Sequence, residues 1–501
     1  MASHTRIARL LIANRGEIAC RIIRACRDRG ITSIAVFSDA DREALHTRMA
    51  DEAIALGGTT SAESYLDIDK LLAAARESRA DAIHPGYGFL SERSAFAKAV
   101  AGAGLMFVGP PADVIDRMGS KTAARALAER AGVPVVPGAV ATSQDDRALV
   151  EAVTAVGFPA LIKASAGGGG KGMRVVRDAA GAADAIGAAR REAQAAFGDG
   201  TVYVERLIER PRHVEIQVMA DAGGNAVHLF ERDCSVQRRH QKIIEESPAP
   251  SIGPAVRARM GEAAVALARA AGYVNAGTIE FLVEGKGDAA RFYFLEMNTR
   301  LQVEHPVTEL VAGVDLVQAQ LDVAEGRPLP WTQEALAQRG HALECRVYAE
   351  APARGFLPQA GRILHWEQPS GPGVRVDAGV ETGSEVAVHY DPLLAKLVVA
   401  GATRDEAIRR ALRALDEFIV LGVGTNIAFL ASVLRSQAFA AADVHTRWVD
   451  DEVDTLAAPA SPDLSGIAEE AARLSSNGGA SPGARAAAAP DPWRDLRGWG
   501  R

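Results

Sequence analysis

Thr278-Ile-Glu-Phe-Leu-Val283, answered downstream by Phe292-Tyr-Phe-Leu-Glu-Met-Asn298, is the pair of runs that settles the architecture. Both are short and rich in aromatic and aliphatic residues, which predicts the two strands of an antiparallel hairpin. Side chains alternate faces along a strand, so Glu296 and Asn298 share a face while Glu280 lies on the partner strand. If the hairpin register puts Glu280 opposite them, two carboxylates and an amide oxygen converge. Such a cluster repels itself unless a cation sits within it, and an all-oxygen set suits Mg²⁺ bridging to substrate phosphates. The plainer reading is solvated acids on an exposed face; Phe281, Leu282, Phe294, Leu295 and Met297 among them weigh against it.

The chain continues as Arg300-Leu-Gln-Val-Glu-His-Pro306. If this segment is extended, Arg300, Gln302 and Glu304 face one side, an anion clamp next to a general base. A polar loop has a similar composition. Upstream, the run Lys163-Ala-Ser-Ala-Gly-Gly-Gly-Gly-Lys-Gly172 lets backbone amides approach phosphate oxygens, because glycine has no Cβ and tolerates positive φ. It is not a P-loop, since Gly172 stands where a Ser or Thr would hold magnesium. A flexible surface loop would look the same, so the run alone does not decide. The stretch Arg232-Asp-Cys-Ser-Val-Gln-Arg-Arg-His-Gln-Lys242 is the sort usually found on a solvated charged face, and gains interest only beside a phosphate site.

Nearer the start, residues 8–13 read as a strand, and Asn14 with Glu17 three residues on has the pattern of a helix-opening capping box. Ile18, Ile22, Ala25 and Cys26 share one helical face, Gly30 stops the helix, and residues 31–37 form a second strand, a βαβ start to an α/β domain. Residues 82–84 and 105–108 are further strand candidates. From about 135 to 208 the composition shifts to Gly and Ala, with strands at 160–164 and 173–176 flanking the glycine run, so a small mobile subdomain is expected. Residues 213–219 open another hairpin, returning through Asp221-Ala-Gly-Gly-Asn225. Antiparallel sheet beside an α/β opening predicts several domains, α/β and α+β, and not one doubly wound sheet. Residues 341–450 combine strands with an amphipathic helix around 404–418. The last forty-odd residues, rich in Ala, Ser, Pro and Gly, read as a linker or flexible tail.

The 501 residues, 48% hydrophobic, suffice for about three domains at roughly 150 residues each. A net charge of -7 argues against nucleic acid or an anionic membrane as partner and requires a local positive site for any anionic substrate. Cys20, Cys26, Cys234 and Cys345 have no metal-ligand spacing and read as buried thiols in a reducing cytoplasm. No apolar run approaches the roughly 18 residues of a membrane span, and the opening residues lack a secretory signal's apolar core. A cytoplasmic location is expected.

These strings resemble the biotin carboxylase subunits and domains of biotin-dependent carboxylases. The likeness covers about residues 6–450 and is carried, in family order, by Ala13-Asn-Arg-Gly-Glu-Ile-Ala19, His84-Pro-Gly-Tyr-Gly-Phe-Leu-Ser-Glu92, the glycine run, the 231–242 run, Phe294 to Pro306, and His341-Ala-Leu-Glu-Cys-Arg-Val347. It implies an ATP-grasp fold with a Rossmann-like N-terminal domain (1–118), an ATP-grasp domain (119–330) with a mobile glycine-loop lid (about 135–208), a mixed C-terminal domain (331–452) and a flexible tail or linker (453–501).

The resemblance also implies roles. Lys121 and Lys163 match phosphate-binding lysines, and Gly169 and Gly170 the loop amides over the phosphates. Glu205, Arg206, Leu207 and Ile208, with His213, Gln237 and His240, match the adenine and ribose side of an ATP site. Glu280, Glu296 and Asn298 match ligands of Mg²⁺ or Mn²⁺, two ions. Lys242, Arg300, Gln302, Val303 and Arg346 match a bicarbonate site, Glu304 its general base, and Arg346 the group beside the biotin ureido oxygen. The implied reaction is carboxylation of biotin through carboxyphosphate, the first half-reaction of an acetyl-, propionyl- or methylcrotonyl-type carboxylase.

Two departures stand out. Ala166 replaces a glycine that some family members carry, and none of the eight methionines precedes a lysine, so the Met-Lys-Met biotin-attachment signal is absent. The biotin carboxyl carrier protein or domain is therefore expected as a separate polypeptide or beyond this chain, and the resemblance implies it and a carboxyltransferase as partners, and a homodimer. Pro490-Asp-Pro-Trp-Arg-Asp-Leu-Arg-Gly-Trp499 is similar to the segment opening the next domain of multidomain α subunits, and a docking peptide would read alike. A split or truncated α subunit is the preferred reading. Two rivals remain. A carbamoyl-phosphate or purine-pathway ATP-grasp ligase would not be expected to carry the 300–304 string together with Arg346. A non-catalytic ATP-binding regulatory subunit would be expected to have lost one of Lys121, Lys163, Glu280, Glu296, Arg300 or Glu304.

Overall fold

The computed structural model describes residues 6–139, 143–165 and 172–457. Its first layer is a parallel sheet of β1 (Arg9–Ile12), β2 (Thr32–Phe37), β3 (Glu52–Ala55), β4 (Ala82–His84) and β5 (Met106–Phe107), in the order β3-β2-β1-β4-β5. The apolar run through β1 supplies both faces. Leu10 and Ile12 pack with Ile18 and Ile22 of helix α1 (Gly16–Arg29), while Leu11 and Ala13 pack with Ile34, Ile83 and Phe96. Burial on both sides is what a covered parallel sheet requires. The strand order reverses between β1 and β4, so the loops leaving their carboxyl ends flank a crevice.

The expected cap at Asn14 is not made. Helix α1 starts at Gly16 with Arg15 in the cap position and no side-chain cap. Asn14 instead spans the crevice, its Nδ2 donating to the carbonyls of Pro85 (2.8 Å) and Tyr87 (2.7 Å). Buried carbonyls in a turn need donors as much as a helix end does, and here the turn takes the amide. Gly86 sits at φ +62 with any Cβ falling 2.8 Å from Asn14 Nδ2, so only glycine fits. Gly30 closes α1 in the left-handed conformation, as expected.

A second unit carries an antiparallel sheet of β6 (Gly138–Ala139), β7 (Ala160–Ala164), β8 (Arg174–Val176) and β9 (Val202–Arg206), ordered β6-β9-β7-β8. Helices Asp146–Val156 and Ala182–Phe197 give it a core of its own, with Leu149, Val153, Ile162, Ile186 and Val204 buried together. Residues 166–171 of the glycine run, including Gly169 and Gly170, lie outside the described residues.

The third layer is an eight-stranded antiparallel sheet. Along it run β14 (Arg291–Asn298), β13 (Asn275–Glu284), β10 (Arg212–Ala220), β11 (Ala226–Arg238), β12 (Gln241–Ser247) and β15 (His341–Tyr348), then strands Leu393–Gly401 and Val374–Ala378. Alternation in β10 and β13 sends Val214, Ile216, Val218, Ile279, Phe281 and Val283 into the core under helices Pro254–Ala270 and Lys121–Arg130. His213, Glu215, Gln217, Thr278 and Glu280 occupy the intervening positions and face the other way. At the far end Leu343, Cys345 and Val347 pack beneath helix Arg404–Asp416. Residues Val453–Leu456, expected within the tail, form a helical turn whose Leu456 joins that core. The Trp-containing segment lies outside the described residues. All four cysteines are free and buried, and no described helix is long and apolar enough to cross a membrane.

Candidate active site

One cavity of about 710 Å³ is lined by every expected site residue that falls among the described residues, from Lys121 to Arg346. The hairpin register explains part of this convergence: Glu280 lies directly opposite Glu296, and Thr278 opposite Asn298, with a bulge between Glu280 and Phe281. The bulge adds twist and re-aims side chains locally.

Lys242 is the electrostatic centre. Its Nζ lies 2.6 Å from Glu215 and from Glu304, 2.9 Å from Glu280 and 3.1 Å from the Gln302 amide oxygen. Burial alone would push the lysine down, but the three carboxylates hold its ammonium well above the ordinary range. In return burial raises Glu280 and Glu304 while Lys242 pulls both below the usual carboxylate value. Glu304 is also bound by Arg346 at 2.9 Å, so one carboxylate bridges two cations. Arg300 approaches from the side, donating to Glu92 (3.0 Å) and to Asn298 Oδ1 (3.1 Å).

The 300–304 segment converges by a different route from the one expected. It is not extended throughout; the chain turns after Gln302, and Glu304 occupies the cap position of helix His305–Ala312. The turn is anchored from below by the fully buried Lys396, whose Nζ donates to the Val303 carbonyl at 2.8 Å. The 232–242 run also departs from a solvated face. Arg232, Asp233, Gln237 and Arg238 are buried in β11, and Arg232 binds Glu215 at 2.6 Å; Arg239 and His240 are the exposed pair.

At the other end of the cavity, Lys163 and Arg125 hold Glu205 at 3.0 and 2.6 Å. Glu205 keeps Lys163 raised against its burial, whereas burial lowers Lys121. Arg206 turns to Glu284 in a bidentate pair (2.9 Å each) and to Tyr293, and Ile208 packs on Val136 and Tyr293. Gln237 bridges His213 Nδ1 and the Cys234 carbonyl, both at 2.8 Å.

The donor set fits a hard divalent cation. Glu280, Glu296 and the Asn298 amide offer oxygen ligands only. Burial and the facing Glu280 push Glu296 up, and among the described residues no donor reaches its carboxylate. A cation there would relieve both.

Sequence reasoning missed the residues that hold the expected ones: Glu215, Glu92, Arg232, Glu245 and Lys396. Two signals were available. Glu215 follows His213 on the same face of an alternating strand, and Glu92 ends the His84 to Glu92 string.

Comparison with known proteins gives three adjoining matches: the family "Biotin carboxylase, N-terminal domain" over residues 6–115, "Carbamoyl-phosphate synthase L chain, ATP binding domain" over 120–332, and "Biotin carboxylase C-terminal domain" over 344–451. A pyruvate carboxylase subunit of Methanothermobacter thermautotrophicus is 50% identical over 444 residues, 89% of this chain and 90% of that protein. The alpha chain of the mitochondrial methylcrotonoyl-CoA carboxylase of Dictyostelium discoideum is 49% identical over 457 residues, 91% of this chain. This chain spans 65% of that relative, just under two thirds. Among solved structures, biotin carboxylase from Campylobacter jejuni superposes with a TM-score of 0.85 at 44% identity, covering 89% of this chain and 99% of that one. The biotin carboxylase domain of Hydrogenobacter thermophilus 2-oxoglutarate carboxylase, solved with MgADP, ADP and bicarbonate, gives 0.86 at 40% identity over 91% of this chain and all of that one.

Proposed function

Because this chain belongs to the biotin carboxylase family, ATP-grasp enzymes that are ATP-dependent ligases, we propose that it carboxylates biotin on a carrier protein using ATP and bicarbonate. The observation that carries this reading is Glu304 clasped between Lys242 and Arg346 in the same cavity as Lys121 and Lys163.

Lys242, Arg300, Gln302, the Val303 backbone and Arg346 bind bicarbonate. The two cations that hold Glu304 ionised are also the ones the anion engages, so its arrival loosens their grip and lets Glu304 accept a proton. The bicarbonate oxygen attacks the γ-phosphorus, the bond to ADP breaks, and carboxyphosphate forms. Lys121 and Lys163, with the Gly169 and Gly170 amides, disperse charge on the moving phosphoryl group. Two Mg²⁺ or Mn²⁺ ions, held by Glu280, Glu296 and Asn298, would supply charge neutralisation between the terminal phosphates when bound. Carboxyphosphate then breaks its carbon–oxygen bond to give CO₂ and phosphate. The phosphate takes the biotin N1 proton, N1 bonds to CO₂, and Arg346 with Arg300 stabilises the anionic ureido oxygen.

Glu205, Arg206, Leu207, Ile208, His213, Gln237 and His240 take the adenine and ribose. We assign residues 1–118, 119–330 and 331–452 as the three domains, with the lid over about 135–208 closing on ATP to exclude water. A biotin carboxyl carrier protein or domain and a carboxyltransferase are its partners, the protein is a homodimer, and the buried free thiols favour a reducing, cytoplasmic setting. An acyl-CoA is the favoured final acceptor, as in the methylcrotonoyl- and propionyl-CoA carboxylase relatives.

The test is ATP hydrolysis by the purified chain, with free biotin as a poor surrogate acceptor. Turnover that rises with both bicarbonate and biotin is expected; hydrolysis indifferent to both would remove the proposal.

A further inference from the structure

Two carboxyl groups that do not line the cavity stand against one residue that does. Glu245 on β12 and Glu344 on β15 are register partners across the antiparallel pair, and both are fully buried. Glu245 Oε1 takes the Nε of Arg346 at 2.6 Å and a terminal nitrogen at 2.5 Å, while that guanidinium also reaches Glu304 at 2.9 Å. Its second oxygen and both oxygens of Glu344 meet no donor among the described residues.

The charged groups around the pair are Arg346, Glu304, Lys242 and Lys396, with the Cys345 thiol alongside. Lys396 stands opposite Arg346 on the neighbouring strand, but its ammonium is committed to the Val303 carbonyl and Glu17. An ionised carboxylate buried without a donor is strongly disfavoured, and two facing carboxylates cannot both ionise cheaply. A neutral acid beside a charged one satisfies both constraints.

We infer that Glu245 and Glu344 form a one-proton carboxyl pair that positions Arg346, with Glu245 carrying the charge that holds the guanidinium and Glu344 remaining protonated beside it. Burial pushes Glu344 well above the ordinary range and raises Glu245 to about 7 against the pull of Arg346. A single negative charge fixes Arg346 and leaves it able to share itself with Glu304. A doubly charged pair would draw the guanidinium away from the cavity. Neither glutamate touches substrate in this scheme; both act through Arg346, so the inference rests on the role proposed above for that arginine.

The first experiment is infrared spectroscopy of the intact protein well above the ordinary carboxylate range. A stretch of an un-ionised carboxylic acid that disappears in Glu344→Gln is expected; no such band, or one that survives the substitution, overturns the protonation assignment. Second, Glu245→Gln should lower biotin-dependent kcat by roughly 10- to 100-fold while leaving the KM for ATP within about twofold, with partial recovery in Glu245→Asp. Glu344→Gln, close in shape to the neutral acid, should keep kcat within about twofold. Unchanged biotin-dependent kcat in a folded Glu245→Gln protein overturns the positioning role. The infrared result needs no turnover, so a wild-type protein without biotin-dependent hydrolysis would sink the proposed function and leave this assignment standing.

Discussion

Glu304 is the residue on which the proposed chemistry turns. Its two oxygens are taken by Lys242 and Arg346, and it is almost wholly buried, so Gln at this position keeps the shape and loses the base. Removing a positioned general base typically costs about 10²- to 10⁴-fold. Glu304→Gln should therefore lose kcat by that order while calorimetry still shows ATP binding, because the nucleotide-side residues are untouched. A variant retaining most of its activity would show that another group takes the proton. That Glu304 lies close to Arg300 and Gln302 was legible from the sequence, but the cations around it were not. Lys242 stands far from it in the chain, and only folding brings them to 2.6 Å.

The two hairpins were the most readable elements, because alternation and turn chemistry are local. Alternation fixed which side chains share a face but left the register of β13 on β14 open; the fold supplies it, and it sets Glu280 against Glu296. Phe281, immediately beyond the bulge, is fully buried against Phe292 in a T-shaped contact and fixes that register from the core side. Phe281→Ala should destabilise the protein by about 3–5 kcal/mol, measured by denaturant unfolding, and weaken metal-dependent turnover as well. A large stability loss with an unchanged metal requirement would disconnect the core face from the site face. What resisted reading was the competition for side chains between distant segments. Asn14 has a good capping sequence, yet two carbonyls in the 85–87 turn claim it; the 232–242 run looks solvated, yet Arg232 is drawn inside by Glu215. Composition cannot decide such contests, since each depends on a partner some 70 residues or more away, or across a sheet, as when Asn14 reaches Tyr87 at a separation of 73.

The molecule as a whole was legible as several α/β and α+β units, because a parallel run buried on both faces and an antiparallel run buried on one leave different patterns. Its stability carries a pH signature that motifs do not reveal. Burial lowers His46 and His84 to about 4 and also lowers His305. A histidine held neutral in this way binds its proton more readily in the unfolded chain. Its contribution is full above the ordinary value of 6.5 and drains away as the pH falls from there towards about 4. For His46 and His84 the shift corresponds to roughly 3 kcal/mol each, to order of magnitude. Thermal melts should show Tm declining on acidification before ordinary carboxylates titrate, with a shallower decline in His84→Gln. A flat Tm between about pH 7 and pH 5 would contradict this account.

Strands β10 and β13 devote one side to hydrocarbon packing and the other to reagents. A missense change can spoil either side and leave the other serviceable, but losing a single codon within Asn275–Glu284 exchanges the two sides beyond that point. Acids would then be driven into oil and phenyl rings into the substrate chamber. Gene variants of this protein should therefore tolerate length changes in the surface turns and almost none along these two ribbons.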